Sequence, residues 1–291
     1  MHTKHTWTEN SATIQVEGLS NPVKVFQITD SHISYDQEID RPYVSYSKRM
    51  NTAFQDKNTT GLFQQMLQQA SEALVDLLAL TGDQVNYPSV SAVAFVTNEV
   101  QKTGLPHLFT AGNHDWHYEG MEGSSEALRE EWREKRLSPL YANHSPSHTA
   151  LDIGGLCFIA IDNSTYQVNE TQLSFYQQQI ARGLPTVLLI HIPLSLPQMR
   201  TPNSPNLCGD PEWGAQKDRN YITERRQRWP ESGNKPSTGA FLEHVLTTPN
   251  LVAVLCGHIH RSRVEPINDH AFQYITSAGA LGGYRLLEFH P

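Results

Sequence analysis

Seven side chains in this sequence could do chemistry together: Asp30, His32, Asp83, Asn113, His191, His258 and His260. Each follows an apolar run that ends abruptly. Imidazole, carboxylate and amide groups in one set suit borderline divalent metals; calcium and magnesium prefer shells made of oxygen alone. Seven ligands are too many for one ion and fit two, provided one carboxylate is shared. Two ions about 3.5–4 Å apart can clamp an in-line displacement at phosphorus. The centre of the set is Gly112-Asn113-His114-Asp115, where a glycine lets the backbone turn sharply just before three polar side chains. Any one of these stretches, taken alone, reads equally well as a turn or a capped loop. Five strand ends of the same form are poorly explained as five separate accidents.

The elements that must position these residues are legible from periodicity. Residues 12–17 alternate as a half-buried strand, and 23–28 form a second strand ending at Thr29-Asp30-Ser31-His32. Asp30 and His32, two apart on an extended segment, would project to one side. Residues 61–74 have helical periodicity, 76–80 are a buried strand, 89–102 a second helix, and 105–110 a strand leading into the central motif. This alternation predicts an α/β fold with a largely parallel sheet, in which functional groups gather at the carboxyl ends of strands. Further on, 119–136 reads as a charged helix. Residues 148–153 and 156–161 read as a hairpin through Gly154-Gly155, 169–182 as a helix and 186–190 as a buried strand. Residues 237–246 are a short helix and 251–256 a strand, and three strands close the chain near 262–266, 271–277 and 284–289. Two stretches lack a period. Residues 33–60 are polar and long for a connection. Residues 195–236 are rich in Pro, Trp, Asn and Arg and read as an inserted loop or lid within a single domain spanning 1–291.

Composition narrows the classes. A net charge of −8 argues against a general nucleic-acid surface, which needs clustered cations, but leaves small anionic substrates open where metals supply positive charge. No apolar run could span a bilayer, and residues 1–17 contain no apolar signal core. Three cysteines, Cys157, Cys208 and Cys256, give no disulfide framework, so a reducing, cytoplasmic setting is expected. His2, His5, His144 and His148 lie in polar stretches and are expected to be solvated.

Taken together, Asp30-x-His32, Gly82-Asp83, Gly112-Asn113-His114-Asp115, His191 and Gly257-His258-x-His260 resemble the complete signature of the calcineurin-like metallophosphoesterases, in the family's order and over most of the chain. The resemblance implies a four-layer sandwich of two mixed sheets flanked by helices. It implies that Asp30, His32 and His260 bind a first metal, that Asn113, His191 and His258 bind a second, and that Asp83 bridges them. His114 would be the non-ligand histidine that stabilises the transition state and protonates the leaving oxygen, with Asp115 orienting it by a hydrogen bond. The nucleophile would be a metal-bound hydroxide, and manganese, iron or zinc would each suit the ligands. The motif form is similar to bacterial cyclic-nucleotide phosphodiesterases. Those often carry two histidines before the proline of the fourth motif, where this chain has His191-Ile192-Pro193.

The expected activity is hydrolysis of small phosphate esters, as a phosphodiesterase or alternatively a phosphomonoesterase. A nuclease fits the acidic balance poorly, and an inactive scaffold fits poorly with a full set of ligands. Arg219, Arg225, Arg226 and Arg228, near Trp213, Tyr221 and Trp229, are substrate-binding candidates; Arg225 and Arg226 head the group. The reading favoured on general grounds is that these arginines pair with Glu212, Glu224 and Glu231 on a solvated surface, since surface ion pairs are common.

Overall fold

A computed structural model describes residues 1–43, 54, 56–116, 133–199 and 235–291. The strands among them form two six-stranded sheets. The first runs in the order β1 (Thr3–Trp7), β2 (Ser11–Val16), β12 (Arg285–His290), β3 (Val23–Ile28), β4 (Leu77–Thr81), β5 (His107–Thr110). The second runs β10 (Arg263–Pro266), β11 (Phe272–Ile275), β9 (Leu251–Cys256), β8 (Thr186–Leu189), β7 (Leu156–Ile161), β6 (His148–Ile153). Both are mixed. β3, β4 and β5 are mutually parallel in one; β7, β8, β9 and β11 are parallel in the other.

Strand alternation dictates the layering. On β4, Leu77 and Ala79 point between the sheets, while Leu78 and Leu80 point outward. On β8, Val187 and Leu189 face inward and Leu188 outward. Side chains two apart share a face, so fully apolar strands must be covered on both. Helices α1 (Thr59–Glu72) and α2 (Val90–Thr103) cover the first sheet through Phe63, Met66, Val93 and Val96. Past a short α3 (Asn113–Trp116), helices α4 (Glu170–Ile180) and α5 (Pro236–Thr247) cover the second through Tyr176, Phe241 and Val245. The result is helix, sheet, sheet, helix. Local sequence fixes where helices begin: Ser89 Oγ accepts from Ala92 N at the start of α2, and Asn169 with Gln172 forms a reciprocal cap on α4.

The two mixed sheets flanked by helices are those the family resemblance implies; the alternation alone suggested a largely parallel sheet, whereas β2, β12, β6 and β10 each pair antiparallel at least once. Strand β1 lacks an apolar period because it is a half-exposed edge strand. The helix expected over 119–136 lies outside the described residues except for a single π-helical turn at Arg133–Leu137. No helix among the described residues is long and apolar enough to cross a membrane. Cys157 and Cys256 are buried core residues as expected, and Cys208 lies outside the described residues.

Candidate metal centre

The carboxyl ends of five parallel strands meet where the two sheets face each other. β3, β4 and β5 deliver Asp30, Asp83 and Asn113; β8 and β9 deliver His191, His258 and His260. Asp30, His32, Asp83 and His191 are at most 1% exposed, and Asn113 is 5% exposed. Ligand-type atoms of Asp30, His32 and His260 lie within 4.8 Å of one another, as do those of Asp83, His191 and His258, and those of His32, Asp83 and His114. Six of the seven sequence-derived candidates thus come to one place with His114 at its half-buried rim, and buried Asn113 immediately precedes His114 in α3.

The two carboxylates are built alike. Asp30 Oδ2 accepts from His258 N at 2.9 Å, and Asp83 Oδ1 accepts from His114 N at 2.7 Å. Their other oxygens face histidines: Asp30 Oδ1 is 3.2 Å from His260 Nε2, and Asp83 Oδ2 is 3.2 Å from His191 Nε2. One oxygen of each is anchored to backbone while the other is presented to the centre. Burial alone would raise both acids. The His260 contact and the charges of His191 and His260 instead hold Asp30 at about 2, and His191 with His114 holds Asp83 well below the usual carboxylate range. Burial, with His114 next to it, pushes His32 down to about 3, which keeps that ring neutral.

The backbone is strained at these residues. Asp30, His32, Asp83, His258 and His260 have φ between +43° and +70°. Side chains other than glycine adopt this region at a cost of roughly 1–2 kcal/mol each. Asp30 and His32 therefore converge through left-handed turns; the expected alternation of an extended segment is not how they meet. Hydrogen bonds hold the turns: Asp30 N donates to Gly82 O and His32 N to Asp83 O, each at 2.9 Å. Close packing adds glycine requirements. A Cβ on Gly257 would sit 1.9 Å from Thr29 Oγ1 and 2.2 Å from Asp30 Oδ2, and one on Gly112 would sit 2.1 Å from Asp83 Oδ1.

The residues fit a metal by their own chemistry. His191 Nδ1 is 2.9 Å from Thr81 O, which can only accept, so Nδ1 carries the hydrogen and Nε2 presents a lone pair when the ring is neutral. That lone pair faces a carboxylate oxygen, an arrangement that requires a cation between them or a proton on the ring. Asp83 accordingly raises His191 to about 10 against the effect of burial. Among the described residues, buried Asn113 Oδ1 has no hydrogen-bond partner, and buried Asp30 Oδ1 and His191 Nε2 face a ring nitrogen of His260 and a carboxylate oxygen of Asp83, respectively. His32 Nε2 and His260 Nε2 are 3.1 Å apart. Neighbouring ligand atoms about 2.0–2.1 Å from one ion are separated by roughly 3–3.4 Å in octahedral or tetrahedral shells.

Asp115 departs from expectation. Its carboxylate accepts from Val85 N at 3.0 Å and Gly112 N at 2.8 Å, and burial with Asp83 close by pushes it up to about 8. The ring of His114 is held by Asn86 O, 3.1 Å from Nδ1. Asp115 therefore shapes the loop that carries His114, and a backbone carbonyl orients the ring. Arg225 and Arg226, with the rest of the arginine cluster, lie outside the described residues.

Several site residues had no motif to announce them. Asn163 Oδ1 accepts from both His191 N and Ile192 N at 3.0 Å. Tyr166, itself at φ 63°, places its hydroxyl 3.2 Å from His258 Nε2. Gln27 bridges the sheets, donating to Thr81 Oγ1 and Cys256 O. Phe54 stacks on His32 at 4.9 Å. Asn163 was detectable, because it too follows an apolar strand end; the others depend on contacts across the fold.

A strand-end cluster of this composition, between two mixed sheets, defines a class. The calcineurin-like phosphoesterase family model matches residues 23–262, and the chain belongs to that family. That family uses divalent metal ions, and the described residues include side-chain groups that could hold them. A relative from Fibrobacter succinogenes, described as a "Probable cyclic nucleotide phosphodiesterase", is 25% identical over 188 residues, which are 64% of this chain and 59% of the relative. The chain thus matches less than two thirds of that relative's length. Among solved structures, a dimetal phosphatase from Danio rerio is similar with a TM-score of 0.55 at 10% identity, over 90% of this chain and 89% of that one. Purple acid phosphatase PPD1 from yellow lupin (Lupinus luteus) has a TM-score of 0.55 at 14% identity, over 94% of this chain and 47% of that one. These two likenesses show the fold.

Proposed function

We propose that the chain is a phosphodiesterase of small substrates. Asp30, His32 and His260 would hold one transition-metal ion, Asn113, His191 and His258 a second, and Asp83 both. The observation that carries this reading is the paired construction of Asp30 and Asp83, each with one oxygen fixed by a backbone N–H and the other turned toward histidines. Bound ions at these positions would supply Lewis acidity toward phosphoryl oxygens and an activated water. Manganese, iron and zinc all suit this donor set.

The chain's own groups supply the rest. Because Asn86 O can only accept, His114 Nδ1 is the protonated nitrogen. Nε2 is then the atom that delivers a proton to the leaving oxygen, and it must do so from the cationic ring. The 2.7 Å bond from His114 N to Asp83 fixes that ring's distance from the metal ligands. The Fibrobacter relative's description supports a diester over a monoester. The test compares hydrolysis of bis-p-nitrophenyl phosphate and p-nitrophenyl phosphate after manganese reconstitution, with a chelated control. Chelator-sensitive preference for the diester is expected; preference for the monoester would make the protein a phosphatase.

A further inference from the structure

We propose that the open groove beside His260 seats the organic arm of the substrate and that it takes a planar aromatic group, stacked on Trp7. The inference rests on the metal centre being a phosphodiester site, and it names the arm that such a diester carries. The groove has a volume of about 580 Å³ and is lined by Trp7, Glu9, His260, Arg261, Arg263 and Ser277, among others. That volume is within the range of small-molecule sites. It adjoins the centre at the side where the centre opens, since the His260 side chain is 35% exposed while its partner Asp30 is fully buried.

The wall of the groove is built for an aromatic occupant. Trp7 is 46% exposed, with one side packed at 5.4 Å on Phe272. An indole braced on one side and open on the other is a stacking platform. Arg263 pairs with Glu265, whereas Arg261 makes no hydrogen bond or ion pair among the described residues. A guanidinium next to the metal centre can contact a phosphate oxygen or lie over the edge of a stacked ring.

The wall is also held rigid. Arg285 is fully buried; Nη1 donates to Thr8 O at 3.1 Å, Nη2 to Ser262 Oγ at 2.8 Å and Nε to Thr276 Oγ1 at 3.2 Å. Ser262 Oγ in turn donates to Glu9 O at 3.1 Å. This buried arginine ties the tip of the β1–β2 hairpin to the loop that carries His260, so Trp7 keeps a fixed position relative to the centre. Trp7 and Glu9 precede the family-matched segment, so this wall belongs to the chain's own N-terminal hairpin.

The experiment is calorimetry on the full-length, manganese-loaded protein with adenosine 5′-monophosphate and ribose 5-phosphate, which share the phosphate and sugar and differ in the base. Stacking predicts that the nucleotide binds about tenfold or more tightly than the sugar phosphate. Trp7→Ala should bring that ratio close to one, and Trp7→Phe should retain most of it; an exposed residue makes both variants foldable, which circular dichroism checks. Equal affinities in the parent protein overturn the proposal, and so does a base-dependent advantage that survives Trp7→Ala. Failure of the activity reading is distinguishable. A protein that hydrolyses neither diester nor monoester but loses its base preference in Trp7→Ala keeps the groove and refutes the phosphodiesterase.

Discussion

At the scale of single residues, the centre is defined by where the chain tolerates strain and crowding. Asp30, His32, Asp83, His258 and His260 all have left-handed φ values; backbone bonds to Gly82 O and Asp83 O hold the turns at Asp30 and His32, and the bond from His258 N to Asp30 Oδ2 holds the one at His258. Gly257 has no room for a methyl group against Thr29 and Asp30. Gly257→Ala is expected to lower bound metal from two ions per chain to fewer than one, with far-UV circular dichroism unchanged. Mass spectrometry that still finds two ions would refute the packing argument. His114 is different, since it stands at the rim with its ring held by Asn86 O. His114→Gln is expected to lower kcat by about 10²–10⁴-fold while both ions stay bound. A variant that loses metal as well would make His114 a ligand.

At the scale of elements, the β1–β2 hairpin does more than extend a sheet. His5 was expected in solvent, yet Nδ1 lies 2.7 Å from Tyr274 Oη and the ring packs at 4.6 Å on Phe272, both on β11 of the opposite sheet. The hairpin therefore spans the two sheets at their edge. Burial pushes His5 down from 6.5 to about 4. Its folded-state value is thus below its unfolded value. As pH falls from about 6.5 toward 4, the unfolded chain takes up a proton that the folded chain refuses, and stability is lost. In metal-free protein, the urea midpoint should fall between pH 7 and pH 5, and it should fall less in His5→Gln. Parallel falls in the two proteins would show that His5 does not contribute.

At the scale of the whole molecule, three apolar layers separate folding from metal binding. The layer between the sheets and the two beneath the helices are continuous cores of buried Leu, Val, Ile and Phe that include none of the seven metal-ligand candidates. Chelation is therefore expected to abolish hydrolysis and leave secondary structure intact. By linkage it should lower Tm by roughly 5–10 °C, and manganese should restore both activity and Tm. Collapse of the circular dichroism spectrum on chelation would show that the ions hold the sheets together.

The sequence by itself determined which metal-binding side-chain types stand at the strand ends and in what order, because apolar runs and sharp polar stops are local patterns. The layering was legible only through the family resemblance; periodicity showed that β4 is apolar on both faces, Leu77 with Ala79 and Leu78 with Leu80, but not that a second sheet covers one of them. Only the tertiary structure decided that β8 and β9 would face β3, β4 and β5. It also decided that Asn163, Tyr166 and Gln27 would brace the centre, that Asn86 O and not Asp115 would hold His114, and that His5 and Trp7 would lie against β11. Those contacts join residues far apart in the chain. Periodicity fixes which face of a strand is apolar; which sheet comes to lie opposite, and which side chains then meet, depends on packing the whole chain at once.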